Sequence, residues 1–143
     1  MRVLLDTNVF VGALLSAGGN NRQVIRACLL GHAVPVFGAA LLHEYEDLLG
    51  RDSLMKKSPL GLKERNSLFD SLLSVAVWVK VYYLWRPNLP DEGDNHLIEL
   101  ALAGGADMIV TNNVRDLIHS ELAFPHLRIL TPFQFLEAIP WQP

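Results

Sequence analysis

Four carboxylates in this 143-residue chain stand where the surrounding pattern calls for an apolar residue or a simple turn. Asp6 ends the run "VLLD" and is followed at once by Thr7 and Asn8. Glu44 comes three residues after Leu41 and four before Leu48, on a helical stripe that those leucines would bury. Asp94 precedes Leu97, Ile98 and Ala101 at i+3, i+4 and i+7, and so shares their face. Asp116 closes "MIVTNNVRD", where Thr111, Asn112 and Asn113 add polar oxygens after an apolar run. A lone acid on an inward stripe is costly unless something compensates it. Carboxylates brought close together repel one another and their pKa values rise, and a divalent cation is the usual remedy. Oxygen ligands without a Cys or His cluster suit Mg²⁺ or Mn²⁺ better than zinc. The five histidines form no HxH or HExxH pattern, so His43, His96 and His119 read as surface groups or as neighbours of the acids.

Each acid also has a plainer reading. Asp6 and Asp94 could cap helices or favour the dipole in a first turn, worth about 0.5–2 kcal/mol each. Glu44 could tilt to the surface beside His43 and Glu46, and Asp116 could cap a short helix. What favours the joint reading is that four acids from four distant segments can reach one place, and this depends on the elements that carry them.

Short apolar runs alternate with stretches of helical period, without repeats or low-complexity segments, which is the pattern of an α/β domain with a parallel sheet. Strands are expected at Arg2–Leu5, Val34–Phe37, Trp78–Val81, Met108–Val110 and Leu127–Leu130. Helices are expected in "NNRQVIRACLL", ended by Gly31, in "GAALLHEYEDLLG", in "LKERNSLFDSLLSVA", in "GDNHLIELALAGG" and over Pro132–Ala138, with a short turn around Val114–Ile118. Pro87 and Pro90 mark "YYLWRPNLPDEG" as a surface loop. Connections this short favour a single domain over residues 1–143. In parallel sheets ligands sit beyond the carboxyl ends of the strands, where Asp6 and the Thr111–Asp116 segment both stand.

Half of the residues are apolar and 8% aromatic, enough for a sizeable core. No apolar stretch approaches the roughly 18 residues of a membrane span, and the apolar start is too short for a signal peptide. The one cysteine, Cys28, cannot form an internal disulfide, sits in a helical apolar pattern as a small core residue, and fits a reducing cytoplasm. A net charge of −3 argues against a nucleic-acid partner unless several acids are neutralised by bound cations. Between Arg51 and Asn66, five basic residues (Arg51, Lys56, Lys57, Lys63, Arg65) face two acids (Asp52, Glu64), which makes either a basic face or a solvated loop.

"LLDTNVF", the Glu in "LLHEYEDLL", "PDEGDNHLIELALAGGAD" and "MIVTNNVRDL" occur in the order and at about the distances seen in PIN-domain proteins. The resemblance runs from Val3 to about Thr131 and is nearest to the small stand-alone VapC-like toxins of bacterial toxin–antitoxin pairs. It implies a three-layer α/β/α sandwich with a central, mainly parallel sheet of about five strands, and an acidic pocket for one or two Mg²⁺ or Mn²⁺ ions. It also implies metal-dependent cleavage of single-stranded RNA in the cytoplasm, an antitoxin partner, a homodimer and no membrane. Asp6, Glu44 and Asp94 correspond to the first three family acids; Asp91 lies in the same acidic turn, but Asp94 has the family spacing to Leu97 and Ile98. At the fourth position many members carry an Asp where this chain has Asn113, with Asp116 three residues on, as in members with a TxNxxD form. Asn8, Thr111 and Asn113 correspond to groups that orient the carboxylates or water. Arg51, Lys56, Lys57 and Arg115 are candidate phosphate contacts. Tyr82, Tyr83, Trp85 and Trp141 are candidates either for an exposed dimer patch or for lids over the core.

Rival readings meet specific obstacles. A haloacid-dehalogenase-type phosphatase needs a second Asp two residues after the first, and that place is Asn8. A receiver-like signalling domain wants a Lys near the last strand, and "RILTPF" has none. An interaction or nucleic-acid-binding module with this fold, its acids serving only as caps, is the non-catalytic alternative.

Overall fold

Five apolar runs become five parallel strands in the order β3-β2-β1-β4-β5, with β1 Arg2–Leu5, β2 Val34–Phe37, β3 Val77–Trp78, β4 Met108–Val110 and β5 Arg128–Leu130. The computed structural model describes residues 1–16, 18–81, 92–115, 117 and 124–139, with the backbone alone for 92–95. Central β1 aligns Val3 with Pro35 on one side, and Val3, Leu4 and Leu5 with Met108, Ile109 and Val110 on the other. All three of these β1 side chains are buried, as the near-continuous apolar strands of a sheet covered on both faces require.

The helices are α1 Thr7–Leu15, α2 Asn20–Leu29, α3 Ala39–Leu49, α4 Asp52–Met55, α5 Leu62–Ser74, α6 Glu92–Ala103 and α7 Pro132–Ala138. The connections from β1 to β2 and from β2 to β3 run one way along the sheet, and the connection from β3 to β4 runs back. Right-handed crossovers therefore put the intervening helices of the first two on one face and α6 on the other; α6 packs on β1 and β2. The order reverses between β1 and β4, which makes the crevice beyond their carboxyl ends the topological switch point.

The strands at 2–5, 34–37 and 108–110 and the helix at 132–138 fall where the sequence pattern places them. Helix α7 carries a full capping box: Gln134 N–H donates to Thr131 Oγ1 (3.2 Å) and Thr131 N–H to Gln134 Oε1 (2.9 Å). Gly31, at φ +87°, follows α2 in the left-handed conformation expected of a helix stop. Strand β3 is shorter than the expected Trp78–Val81 because its partner runs out: after Val79 N–H bonds Phe37 O (2.8 Å), β2 has already turned through Gly38 into α3. The stretch from Arg51 to Asn66 holds α4 and the start of α5, with a loop only over 56–61 between them. Tyr82, Tyr83, Trp85, Trp141 and Asp91 lie outside the described residues, as do parts of the turn expected over 114–118. Cys28 is buried on α2, and burial pushes its thiol up to about 12, consistent with a plain core residue.

One aromatic cluster sets how α3 meets the sheet. Tyr45 is buried among Phe10 (5.2 Å between ring centroids), Phe37 (4.9 Å, edge-on) and Phe69 (5.9 Å), and its phenol donates to Leu5 O at 2.7 Å. Burial holds the phenol pKa well above its ordinary range, so it stays protonated and remains a donor. The consequence is positional, since Leu5 precedes Asp6 and Tyr45 follows Glu44. Replacing Tyr45 with Phe keeps the ring and leaves the Leu5 carbonyl short of this donor. It is expected to cost about 1–2 kcal/mol in urea unfolding, and an unchanged midpoint would show that this bond does not anchor α3.

Candidate active site

Asp6 extends β1 by one more sheet bond, its N–H donating to Val110 O at 2.9 Å, and then occupies the N-cap of α1 at φ −62°, ψ 150°. Its two oxygens serve different masters. Oδ1 accepts from Thr7 N–H (2.8 Å), the part of the carboxylate that behaves as a cap. Oδ2 accepts from Thr111 Oγ1 (2.8 Å) and from Asn8 Nδ2 (3.3 Å), which ties the end of β1 to the end of β4 across the switch point. Thr111 is fully buried, and its hydroxyl also accepts from Asn113 N–H (3.0 Å), so the turn after β4 is pinned to the same oxygen. Asn8 Oδ1 accepts from Asn112 N–H (3.1 Å), and the Asn112 amide reaches on to Asn21 Oδ1 (3.1 Å). Three elements are thereby stitched together around Asp6.

Glu44 arrives from α3. Its Oε1 accepts from the hydroxyl of buried Thr7 (2.6 Å), and its Oε2 lies 2.8 Å from His96 Nε2 on α6. The side chain is 40% exposed, so the outward tilt considered for it is half right: it stands between the core stripe and solvent. The two acids respond oppositely to their surroundings. Desolvation by burial raises the Asp6 pKa, against the lowering effects of the Thr111 and Thr7 hydrogen bonds, and the nearby Glu44 charge adds a smaller raising effect. The His96 hydrogen bond, ahead of the opposing effect of burial, lowers the Glu44 pKa, and Thr7 helps. Mutual repulsion therefore does not raise both: burial outweighs the donors at Asp6, whereas at the more exposed Glu44 the His96 hydrogen bond outweighs burial.

Asp6, Thr7, Asn8, Glu44 and Asn113 line a cleft of about 330 Å³ whose apolar wall is Val11, Leu48 and Leu117. Among the described residues no group of three or more His, Cys, Asp or Glu is placed to hold a metal. Two carboxylates do face this cleft, whose other polar lining is hydroxyl and amide and whose one nearby imidazole, His96, is taken up by Glu44; this donor set fits a hard cation keeping several waters, such as Mg²⁺. Asp94 belongs to the first turn of α6, and Leu97, Ile98 and Ala101 at i+3, i+4 and i+7 are buried as expected. The Asp94 side chain and the whole of Asp116 lie outside the described residues. Of the basic candidates, Arg51 pairs with Asp47 (2.8 Å) at the surface, and Lys56, Lys57 and Arg115 are exposed. The sequence reading missed Thr7 and Tyr45 as supports, and left His96 without a partner. The one available signal was positional: each is adjacent to, or two residues from, an acid already singled out.

A parallel α/β fold with acids converging at the switch point defines a class of domain, and the comparisons agree on which. The sequence matches the PIN domain over residues 2–115, and the chain belongs to the PIN-domain family, whose members are generally nucleases. Its fold is similar to that of a chain in the crystal structure of VapBC2 from Rickettsia felis bound to a DNA fragment from their promoter (TM-score 0.58, 17% identity, 92% of this chain and 98% of that chain covered). A comparison with curated proteins finds no match.

The raised Asp6 pKa makes a signed prediction for the metal-free protein. Folded Asp6 holds its proton to higher pH than the unfolded chain, so its ionisation costs nothing below the ordinary value of 3.8 and destabilises progressively as pH rises through the folded value. Relative to wild type in EDTA, Asp6→Asn should therefore look better at neutral pH than under acid conditions in urea titrations. A difference between the two proteins that does not vary with pH would contradict the burial of this charge.

Proposed function

We propose that this PIN-domain protein is a metal-dependent ribonuclease that cleaves phosphodiester bonds in single-stranded RNA, the toxin of a toxin–antitoxin pair. The observation that carries the reading is the pairing of Asp6 and Glu44 in one cleft, each held at one oxygen by a threonine hydroxyl from a different segment. The residues to hold one or two Mg²⁺ or Mn²⁺ ions are Asp6 and Glu44, with Asp94 and Asp116 by correspondence with the family. Bound there, the cation supplies Lewis acidity, charge neutralisation and an acidified water for hydrolysis of the phosphodiester. Thr111 and Asn8 keep the Asp6 carboxylate in a fixed orientation, and Asn113 lines the cleft where substrate oxygens would enter. Lys56, Lys57 and Arg115, with Arg51 exchanging its bond to Asp47, are the phosphate contacts of this reading. Single-stranded RNA suits the site because its backbone can enter a cleft without deforming a duplex.

The fold likeness to VapBC2 of Rickettsia felis supports an antitoxin protein as partner, and the family supports a homodimer working in the cytoplasm. Among the described residues no helix is long and apolar enough to cross a membrane. The cap-only alternative accounts for Asp6 Oδ1 but not for Glu44, which lies in the body of α3.

Purified protein incubated with mixed single-stranded RNA and Mn²⁺ or Mg²⁺ is expected to cleave it, and EDTA to stop cleavage. Asp6→Asn and Glu44→Gln should each lower the rate by more than the roughly 10–100-fold typical of residues that only support a ligand. Cleavage indifferent to chelator and to both substitutions would remove this reading.

A further inference from the structure

Neither the family correspondence nor the acids themselves give a role to His96, yet among the described residues it ties α6 to the Glu44 carboxylate. Its Nε2 lies 2.8 Å from Glu44 Oε2, while the Thr7 hydroxyl holds the other oxygen at 2.6 Å. A glutamate on a helix has three rotatable side-chain bonds, and one hydrogen bond leaves its carboxylate free to swing. Two donors on opposite oxygens, one from α1 and one from α6, leave a single orientation. The other ring nitrogen, Nδ1, is buried and has no hydrogen-bond partner among the described residues. A buried N–H without an acceptor is costlier than a buried lone pair on a ring nitrogen, and this favours the tautomer with its proton on Nε2, where Glu44 accepts it. His96 also lines a separate cavity together with Leu41, Trp78, Val79 and Leu100.

We propose that His96 is a positioning residue for Glu44: its Nε2–H and the Thr7 hydroxyl clamp the carboxylate so that α3 presents it to the acidic cleft in one fixed orientation. The proposal rests on the metal-binding reading of that cleft for its consequence but not for its geometry. A ligating carboxylate supported in this way typically loses about 10–100-fold in metal affinity when the support is removed. The chemistry also specifies which replacement should work. The side-chain amide of Gln reaches as far as Nε2 and can donate to Glu44, whereas that of Asn reaches only as far as Nδ1.

The test uses the full chain and Mn²⁺ as the probe, with affinity measured by calorimetry or by the electron spin resonance of free Mn²⁺. His96→Ala is expected to weaken Mn²⁺ binding about 10–100-fold, His96→Gln to recover most of the loss and His96→Asn to recover little. Thermal unfolding of each variant separates this from general damage to the fold. In parallel, long-range ¹⁵N–¹H spectra of the metal-free protein should show His96 as the Nε2–H tautomer in wild type and as a mixture in Glu44→Gln. Wild-type affinity in His96→Ala, or equal recovery by Gln and Asn, overturns the proposal. If wild type itself binds no Mn²⁺, the metal reading falls while the tautomer experiment still decides the clamp: a mixed tautomer in the wild-type protein overturns it, and a pure Nε2–H form that is lost in Glu44→Gln supports it.

Discussion

A carboxylate taken out of water at the end of the central strand is the constraint around which the rest is arranged. Asp6 cannot move away from the sheet, because its own N–H completes a bond to Val110, and with α1 beginning at the next residue its carboxylate meets solvent only through the cleft. A buried charge in that position needs donors. The structure supplies them from three directions: the first helical N–H of α1, the buried hydroxyl of Thr111 and the amide of Asn8. Even so, burial outweighs these donors in setting the Asp6 pKa. The fold therefore carries an electrostatic cost at this point that a helix cap alone does not explain, since a cap of ordinary exposure has the dipole in its favour.

Glu44 solves a different problem. It is half-exposed, and its position depends on packing rather than on sheet bonding. Tyr45, next in sequence, enters the aromatic cluster and bonds to Leu5, so the register of α3 against the end of β1 is fixed by a side chain that never faces the cleft. The aromatic cluster and the hydrogen bond between their neighbours, Leu5 and Tyr45, thus help to bring the two acids together. Thr7 has the complementary task, with its backbone on Asp6 and its hydroxyl on Glu44.

Much of this frame was legible in the sequence for physical reasons. The strands at Arg2–Leu5 and Val34–Phe37 carry the unbroken apolar runs Val3–Leu5 and Val34–Phe37, bounded by Asp6 and Gly38, and a parallel sheet buried on both faces produces that pattern. The acids at 6 and 44 stood out because each interrupts a buried pattern. Helix α1 was not among the expected helices: "TNVFVGALL" is apolar on nearly every side and continues the apolar character of β1, so no 3.6-residue period marks its course. Strand β3 was overestimated because its end is dictated by where β2 turns away, a tertiary fact. The clamp on Glu44 was invisible for the same kind of reason, because Thr7 and His96 are separated from it by 37 and 52 positions.

These dependencies give the cleft two levels of rigidity. The Asp6 side rests on the sheet ladder and on buried Thr111, both continuous with the most buried strands, with the Asn8–Asn112–Asn21 chain of amides added at the surface. The Glu44 side rests on contacts between helices, with α1 and α6 each contributing one donor. Core strands open at free energies near that of global unfolding, whereas contacts between partly exposed side chains of neighbouring helices open at lower free energy. Any event that shifts α6 relative to α3 would therefore reach Glu44 first and leave Asp6 in place. An acidic site built this way keeps one fixed carboxylate and one that answers to the helices around it.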